Sequence, residues 1–258
     1  MTTDSDPVVR LSDYQPPAWR VNEATLRFDL DPHATLVTST LRIQADGKSP
    51  AQPLRLDGED LELLEIQLDG RTLAADEFRI DAVGLTIPDA PPACTLRTVV
   101  RIHPDRNTRL EGLYLSRGAL FTQCEAEGFR RITWFIDRPD VSAVYDVTLA
   151  ADRTRFPVLL ANGDRMETGE LEDGRHFARW RDPHPKPSYL FALVAGDLDR
   201  TTAHFTTMEG CTVEVNVWAE PADVPRCEFA VGAVLRAMDW DERRFGRAYD
   251  LSVFNVVA

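Results

Sequence analysis

Apolar and polar positions alternate along most of this 258-residue chain, and a period of two predicts β-strands rather than helices. Leu26, Phe28 and Leu30 fall on one face of one run, and Val37, Leu41 and Ile43 share a face of the next. Between them, Asp31-Pro32-His33-Ala34 has turn composition. Leu64, Ile66 and Leu68 alternate ahead of Asp69-Gly70, a strong hairpin signal. Similar runs follow at 78–80, 85–87 and 96–102, at Tyr145, Val147 and Leu149, and at 176–180 behind the turn pair Asp173-Gly174. The continuous apolar run 189–195 predicts a strand buried on both faces.

Short strands at this spacing, with turn residues between them and hardly any helical period, predict a mainly β fold: an antiparallel sandwich or large curved sheet over residues 1–197. The pattern then changes. Val213, Val215 and Val217 alternate, after which Phe229, Ala230, Ala233, Val234, Ala237 and Met238 recur at helical spacing. Asp223 is the expected N-cap and Pro225 lies in the first turn. Residues 251–258 read as a buried strand without a polar tail, so 198–258 is expected to be the opening of a second domain that continues beyond Ala258.

Composition narrows the class. A hydrophobic fraction of 43% suits a packed core, while 29 Lys and Arg against 42 Asp and Glu give a net charge of -13, which repels a phosphate backbone and excludes nucleic acid as a partner. The polar, acidic start has no basic and apolar leader pattern, and no stretch approaches the ~18 unbroken apolar residues of a membrane span. A cytoplasmic protein without membrane contact is expected. Cys94, Cys124, Cys211 and Cys227 form no C-x-x-C pair and are expected to be buried, reduced thiols. His33, His103, His176, His184 and His204 are scattered, with no helical pair to grip a metal, so no metal site is expected within this chain.

The chemistry concentrates in 122–140, where Gln123, Glu125, Glu127, Arg130, Arg131 and the run Asp137-Arg138-Pro139-Asp140 interleave with bulky aromatics. An acidic side chain beside a carboxamide on a rigid element can receive a protonated amine: the carboxylate supplies charge and the amide oxygen a second acceptor. The residues equally allow Glu125 and Glu127 to pair with Arg130 and Arg131 on a surface turn, and Asp137-Arg138-Pro139-Asp140 offers opposite charges to fix the loop. Trp134, Trp180 and Trp218 are read as core, and Lys186, between Pro185 and Pro187, as a tether at the junction of the two domains.

Gln123-Cys124-Glu125-Ala126, with Arg130 and Asp137-Arg138-Pro139-Asp140 behind it, resembles a signature of the M1 zinc aminopeptidases, in particular their bacterial aminopeptidase N branch. The segments 13–17, 54–61, 107–114, 159–163, 185–197 and 240–246 resemble the same branch in the same order. The resemblance implies a saddle-shaped β domain followed, near Leu198, by the truncated start of a thermolysin-like catalytic domain. It implies that Gln123 and Glu125 bind the free α-ammonium of a peptide substrate. It also implies that the zinc of the complete enzyme is held by a G-x-M-E-N and H-E-x-x-H region absent from this chain, which alone should be inactive and should pack on the remainder of the catalytic domain. Two rival readings stand beside it. One is a stand-alone β-sandwich module binding peptide or carbohydrate, marked by an exposed aromatic rim; the other is the branch of the superfamily that also opens an epoxide.

Overall fold

The computed structural model describes residues 10–47 and 52–258; of the polar start Met1 to Arg10, all but Arg10 lies outside them. The largest element is an eight-stranded sheet in the spatial order Asp164–Glu170, Arg175–Pro187, Ser142–Asp152, Trp19–Asp29, Thr35–Ala45, Ala93–Ile102, Glu62–Leu68 and Arg71–Thr72. Its neighbours pair antiparallel except Trp19–Asp29 with Ser142–Asp152, which run parallel. Two smaller sheets complete this part of the molecule: Val158–Ala161, Leu193–Gly196, Ala119–Gln123 and Gly112–Ser116, and Leu54–Asp57, Gly84–Ile87 and Arg79–Asp81.

The period-two faces meet in one core. Leu26, Phe28, Val37, Leu41, Tyr145, Val147 and Leu149 from the large sheet pack with Leu54, Leu56, Leu120, Leu160, Leu193 and Ala195 from the small ones. Each buried strand face requires such a partner layer, because apolar area is stabilising only when removed from water. Asp69-Gly70 makes the expected hairpin, both residues at positive φ between the paired Leu68 and Arg71.

Several local expectations are corrected. Leu64 is exposed although Ile66 and Leu68 are buried, because the pairing with Ala93–Ile102 shifts register between Leu63 and Glu65; a bulge turns the strand's face by one residue. The run 189–195 is no continuous strand: Ser188–Leu190 is a 3-10 turn and pairing begins only at Leu193. Asp223 does not cap the helix with its side chain. It pairs with Arg226 in a 3-10 turn Val224–Arg226, and the helix itself spans Glu228–Phe245. Cys211 is exposed, unlike the three buried thiols.

Beyond Gly196 the chain forms a three-stranded sheet in the order Asp199–Thr206, Thr212–Ala219, Val253–Val257, with the helix Glu228–Phe245 on it. The helix ends at Gly246, whose φ of 66° is the left-handed stop that a residue without Cβ adopts freely. The strand Val253–Val257 pairs parallel to Thr212–Ala219 and is half-buried throughout rather than fully buried. Val253 and Val257 pack on the large core while Phe254 and Val256 face small clusters under the helix, so both faces are covered and the outer edge is open among the described residues. This region is tied to the large sheet by Ser252, whose backbone N–H and hydroxyl both donate to Asp164 Oδ1, and by His184 near Asp250 at 3.6 Å. Lys186, expected at that junction, instead pairs with Asp182 over the Tyr145 ring, at the large sheet.

Candidate functional site

The strand Ala119–Gln123 runs out of the four-stranded sheet and the chain turns at once through 124–128 into a 3-10 turn, Phe129–Arg131. Alternation continues across the strand end. Gln123 and Glu125 are exposed and Cys124 between them is buried, so the carboxamide and the carboxylate emerge together while the thiol anchors the backbone. Burial, assisted by the charge of Asp137, pushes the Cys124 thiol up and keeps it protonated. Gln123 Nε2 donates to the Glu125 carbonyl at 3.2 Å, which fixes the amide's nitrogen side and leaves its oxygen for another donor.

The surrounding carboxylates are all occupied. Glu127 pairs with Arg130 at 3.2 Å, as the surface-turn alternative allowed. Arg131, only 9% exposed at its side chain, faces Glu59, Asp60 and Glu111 at 2.5, 2.5 and 3.2 Å. Asp140 takes Arg138 and the Tyr14 hydroxyl, and Arg138 also donates to the Gln15 carbonyl, so the acidic and basic residues of 137–140 do fix their loop. Glu125 is the exception: its carboxylate makes no ion pair and accepts no hydrogen bond among the described residues. Neither arginine that could have neutralised it does so.

Beneath the turn, Asp137 is buried and fully engaged. Its Oδ2 accepts the backbone N–H and Nε of Arg130, both at 3.1 Å; its Oδ1 accepts the Ser188 hydroxyl at 2.5 Å; its own N–H donates to Asp57 Oδ2 at 2.9 Å. Burial works against the Arg130 charge, but the Asp137 hydrogen bond and the charges of Asp57, Asp137 and Glu127 outweigh it and raise the guanidinium's pKa. Burial raises the pKa of Asp57. Asp57 and Phe135 exchange backbone hydrogen bonds at 2.7 and 3.1 Å, joining the turn to the strand Leu54–Asp57. Gly58 admits the Trp134 ring: a Cβ there would lie 2.0 Å from it. Phe129 meets Phe135 and Phe191 edge to face, with centroids 4.9 and 5.1 Å apart, so the floor of the site is an aromatic cluster.

The sequence reading found Gln123, Glu125 and Arg130. It missed Asp57 and Ser188 as polar supports, because they lie 80 and 51 residues from Asp137 in the chain and only the fold brings them together. The three tryptophans read as core are internal as expected: Trp134 and Trp180 are 2% exposed and Trp218 8%. His103, His176 and His184 stay apart: the first two bond the His33 and Phe156 carbonyls, and the third lies 3.6 Å from Asp250. Among the described residues no three His, Cys, Asp or Glu side chains converge as metal ligands.

Residues 14–190 match the family model described as the Peptidase M1 N-terminal domain. The chain is 50% identical over 258 residues to aminopeptidase N of Caulobacter vibrioides, which covers all of this chain and 30% of that protein. Among solved structures it superposes on aminopeptidase A of Legionella pneumophila, in complex with aspartic acid, with a TM-score of 0.91 and 34% identity over 96% of this chain and 30% of that one. An M1 zinc metallopeptidase from Deinococcus radiodurans shares the fold at a TM-score of 0.77 and 19% identity, over 93% of this chain and 56% of that one. The chain thus spans about a third or less of the relatives it matches at 30% identity or more. With the fold, the signature around Gln123 and Glu125 and these likenesses in agreement, the chain belongs to the M1 peptidase family.

Proposed function

We propose that this chain is the amino-terminal part of a zinc aminopeptidase that releases amino-terminal residues from peptides, and that Glu125, with Gln123, receives the substrate's α-ammonium. The observation that carries the reading is the unpaired, exposed Glu125 carboxylate amid five carboxylates that arginines already occupy. A carboxylate and an amide oxygen, side by side at the end of a strand, suit one ammonium group better than they suit a neutral amide. That makes the enzyme an exopeptidase: the charged terminus is pinned before the first peptide bond reaches the reacting centre.

Zinc belongs, in this reading, to the complete enzyme and to residues outside this chain, where it would polarise the scissile carbonyl and activate water. The chain alone is then inactive. Residues 1–197 form the β unit and 198–258 open the catalytic domain, whose remainder packs on the helix Glu228–Phe245. A cytoplasmic location is supported by four unpaired thiols. Peptide release is preferred over epoxide opening because the 50%-identical relative is an aminopeptidase N.

In the full-length protein, Glu125→Ala is expected to lower kcat/KM on amino-acid anilides by ten- to a few-hundredfold, on the order of the ~1.5–3 kcal/mol of a charge-assisted hydrogen bond. Wild-type turnover by that variant removes the assigned role.

A further inference from the structure

Building on that reading, we propose that Asp137 is a positioning residue for the ammonium receptor: its buried carboxylate, clamped by Arg130 and Ser188, sets where Gln123 and Glu125 stand. The path is short and has no slack. Asp137 holds Arg130 at three points, through Arg130 N–H and Nε on Oδ2 and through Arg130 Nη2 on the Asp137 carbonyl. Arg130 belongs to the turn that begins at Gly128, and the Gly128 N–H donates to the Cys124 carbonyl at 2.8 Å. A Cβ at Gly128 would lie 2.4 Å from the Gln123 carbonyl oxygen and 3.1 Å from Cys124 Cα, so the turn rests directly against the backbone that carries both receptor side chains.

A buried charge pair is a poor device for stability alone, since apolar groups of the same shape often serve as well or better. What a carboxylate adds is direction. Asp137 ties three separate segments: its carboxylate holds the receptor turn through Arg130 and the Ser188–Leu190 turn through Ser188, while its backbone N–H donates to Asp57 at the end of the strand Leu54–Asp57. The last of these turns precedes Phe191, which packs against Phe129 under the receptor. Geometry within a fraction of an ångström is what a charged terminus needs in order to be held in register with a distant reacting bond.

The test is a double-mutant cycle in the full-length, zinc-loaded protein, read as kcat/KM on an amino-acid anilide and as hydrogen exchange of the Gly128 and Arg130 amides. Asp137→Asn is expected to lower kcat/KM about tenfold beside an intact Glu125 and to have no further effect once Glu125→Gln is present, because it acts through that carboxylate. Ser188→Ala, a milder change, should show the same dependence with a loss of about threefold, and it serves if Asp137→Asn does not fold. Both variants should speed exchange at Gly128 and Arg130 while amides in Ser142–Asp152 keep their protection. Losses that multiply with that of Glu125→Gln, or unchanged exchange at Gly128 and Arg130, overturn the positioning role and leave the receptor reading intact. A Glu125→Gln protein with wild-type kcat/KM overturns the receptor reading itself, and the positioning role with it.

Discussion

The β unit up to Gly196 and the region from Asp199 onward are built from similar strands, yet they close very differently. In the first, three sheets share one continuous core in which Phe28, Phe129, Phe135, Leu54 and Leu149 are wholly buried. In the second, one small sheet and one helix make two separate clusters of a few residues each, and Phe229, Trp240 and Phe245 stay exposed on the helix at 78, 58 and 69%. Buried charge follows the same division. Asp146 in the large sheet accepts Nε and Nη2 of Arg179 and Nη1 of Arg181, whereas Glu242 in the helix gives one oxygen to the Met208 N–H and its other oxygen has no partner among the described residues. The difference teaches where each region finds its packing: the first chiefly from within itself, with Trp218, Val253 and Val257 added from the second, and the second only in part. Exposed aromatic rings on a helix and an open strand edge mark surfaces suited to further protein.

The sharpest way to break this comparison is the same truncation in both regions. Phe129→Ala is expected to cost about 3–5 kcal/mol, since its ring is fully buried against Phe135, Tyr145 and Phe191, and chemical denaturation measures the loss. A cost below about 1 kcal/mol would mean that the aromatic floor is not the closed core described.

Next in size is Asp146. The Arg179 hydrogen bond lowers its pKa, burial opposes, and the Arg179 charge and Arg181 add to the lowering. With the folded value below the unfolded one, near ~3.9, the unfolded chain takes up the proton first. The stabilisation is therefore fully present above ~3.9 and is lost as pH falls through the lower folded value. Asp146→Asn should cost about 1–3 kcal/mol near neutral pH and flatten the acid limb of stability against pH. An unchanged acid limb would show that the Arg179 and Arg181 contacts contribute nothing.

The smallest effect belongs to Phe229→Ala, which should stay within about 0.5 kcal/mol in the 258-residue chain because the ring is already in water. In the full-length protein the same change should cost more if the remainder of the protein covers that helix. Equal costs in both would remove the proposed packing surface.

Much of the β unit was legible because period-two alternation reports a face that needs a partner, and Leu26, Phe28, Val37, Leu41, Tyr145, Val147 and Leu149 were all placed correctly inside. The failures have local causes. Leu64 sits at a bulge, and a one-residue slip inverts the pattern without leaving a mark on composition. The run 189–195 is as apolar as a strand, but its first two residues belong to the turn Ser188–Leu190, whose Ser188 bonds Asp137. In the candidate site, Gln123 and Glu125 came from a local motif, which survives in a single sequence. The support beneath them did not, because Asp57, Asp137 and Ser188 are joined only by hydrogen bonds across the fold. Nor could sequence decide which of Glu125 and Glu127 an arginine would take; that depends on the turn that brings Arg130 beside Glu127.

The most direct measurement is a crystal structure of the full-length protein with a free amino acid bound. The account predicts the ammonium nitrogen at about 2.7–2.9 Å from a Glu125 carboxylate oxygen, with the Gln123 amide oxygen as a second acceptor. An ammonium group gripped by other acceptors, with Glu125 still facing water, would contradict it.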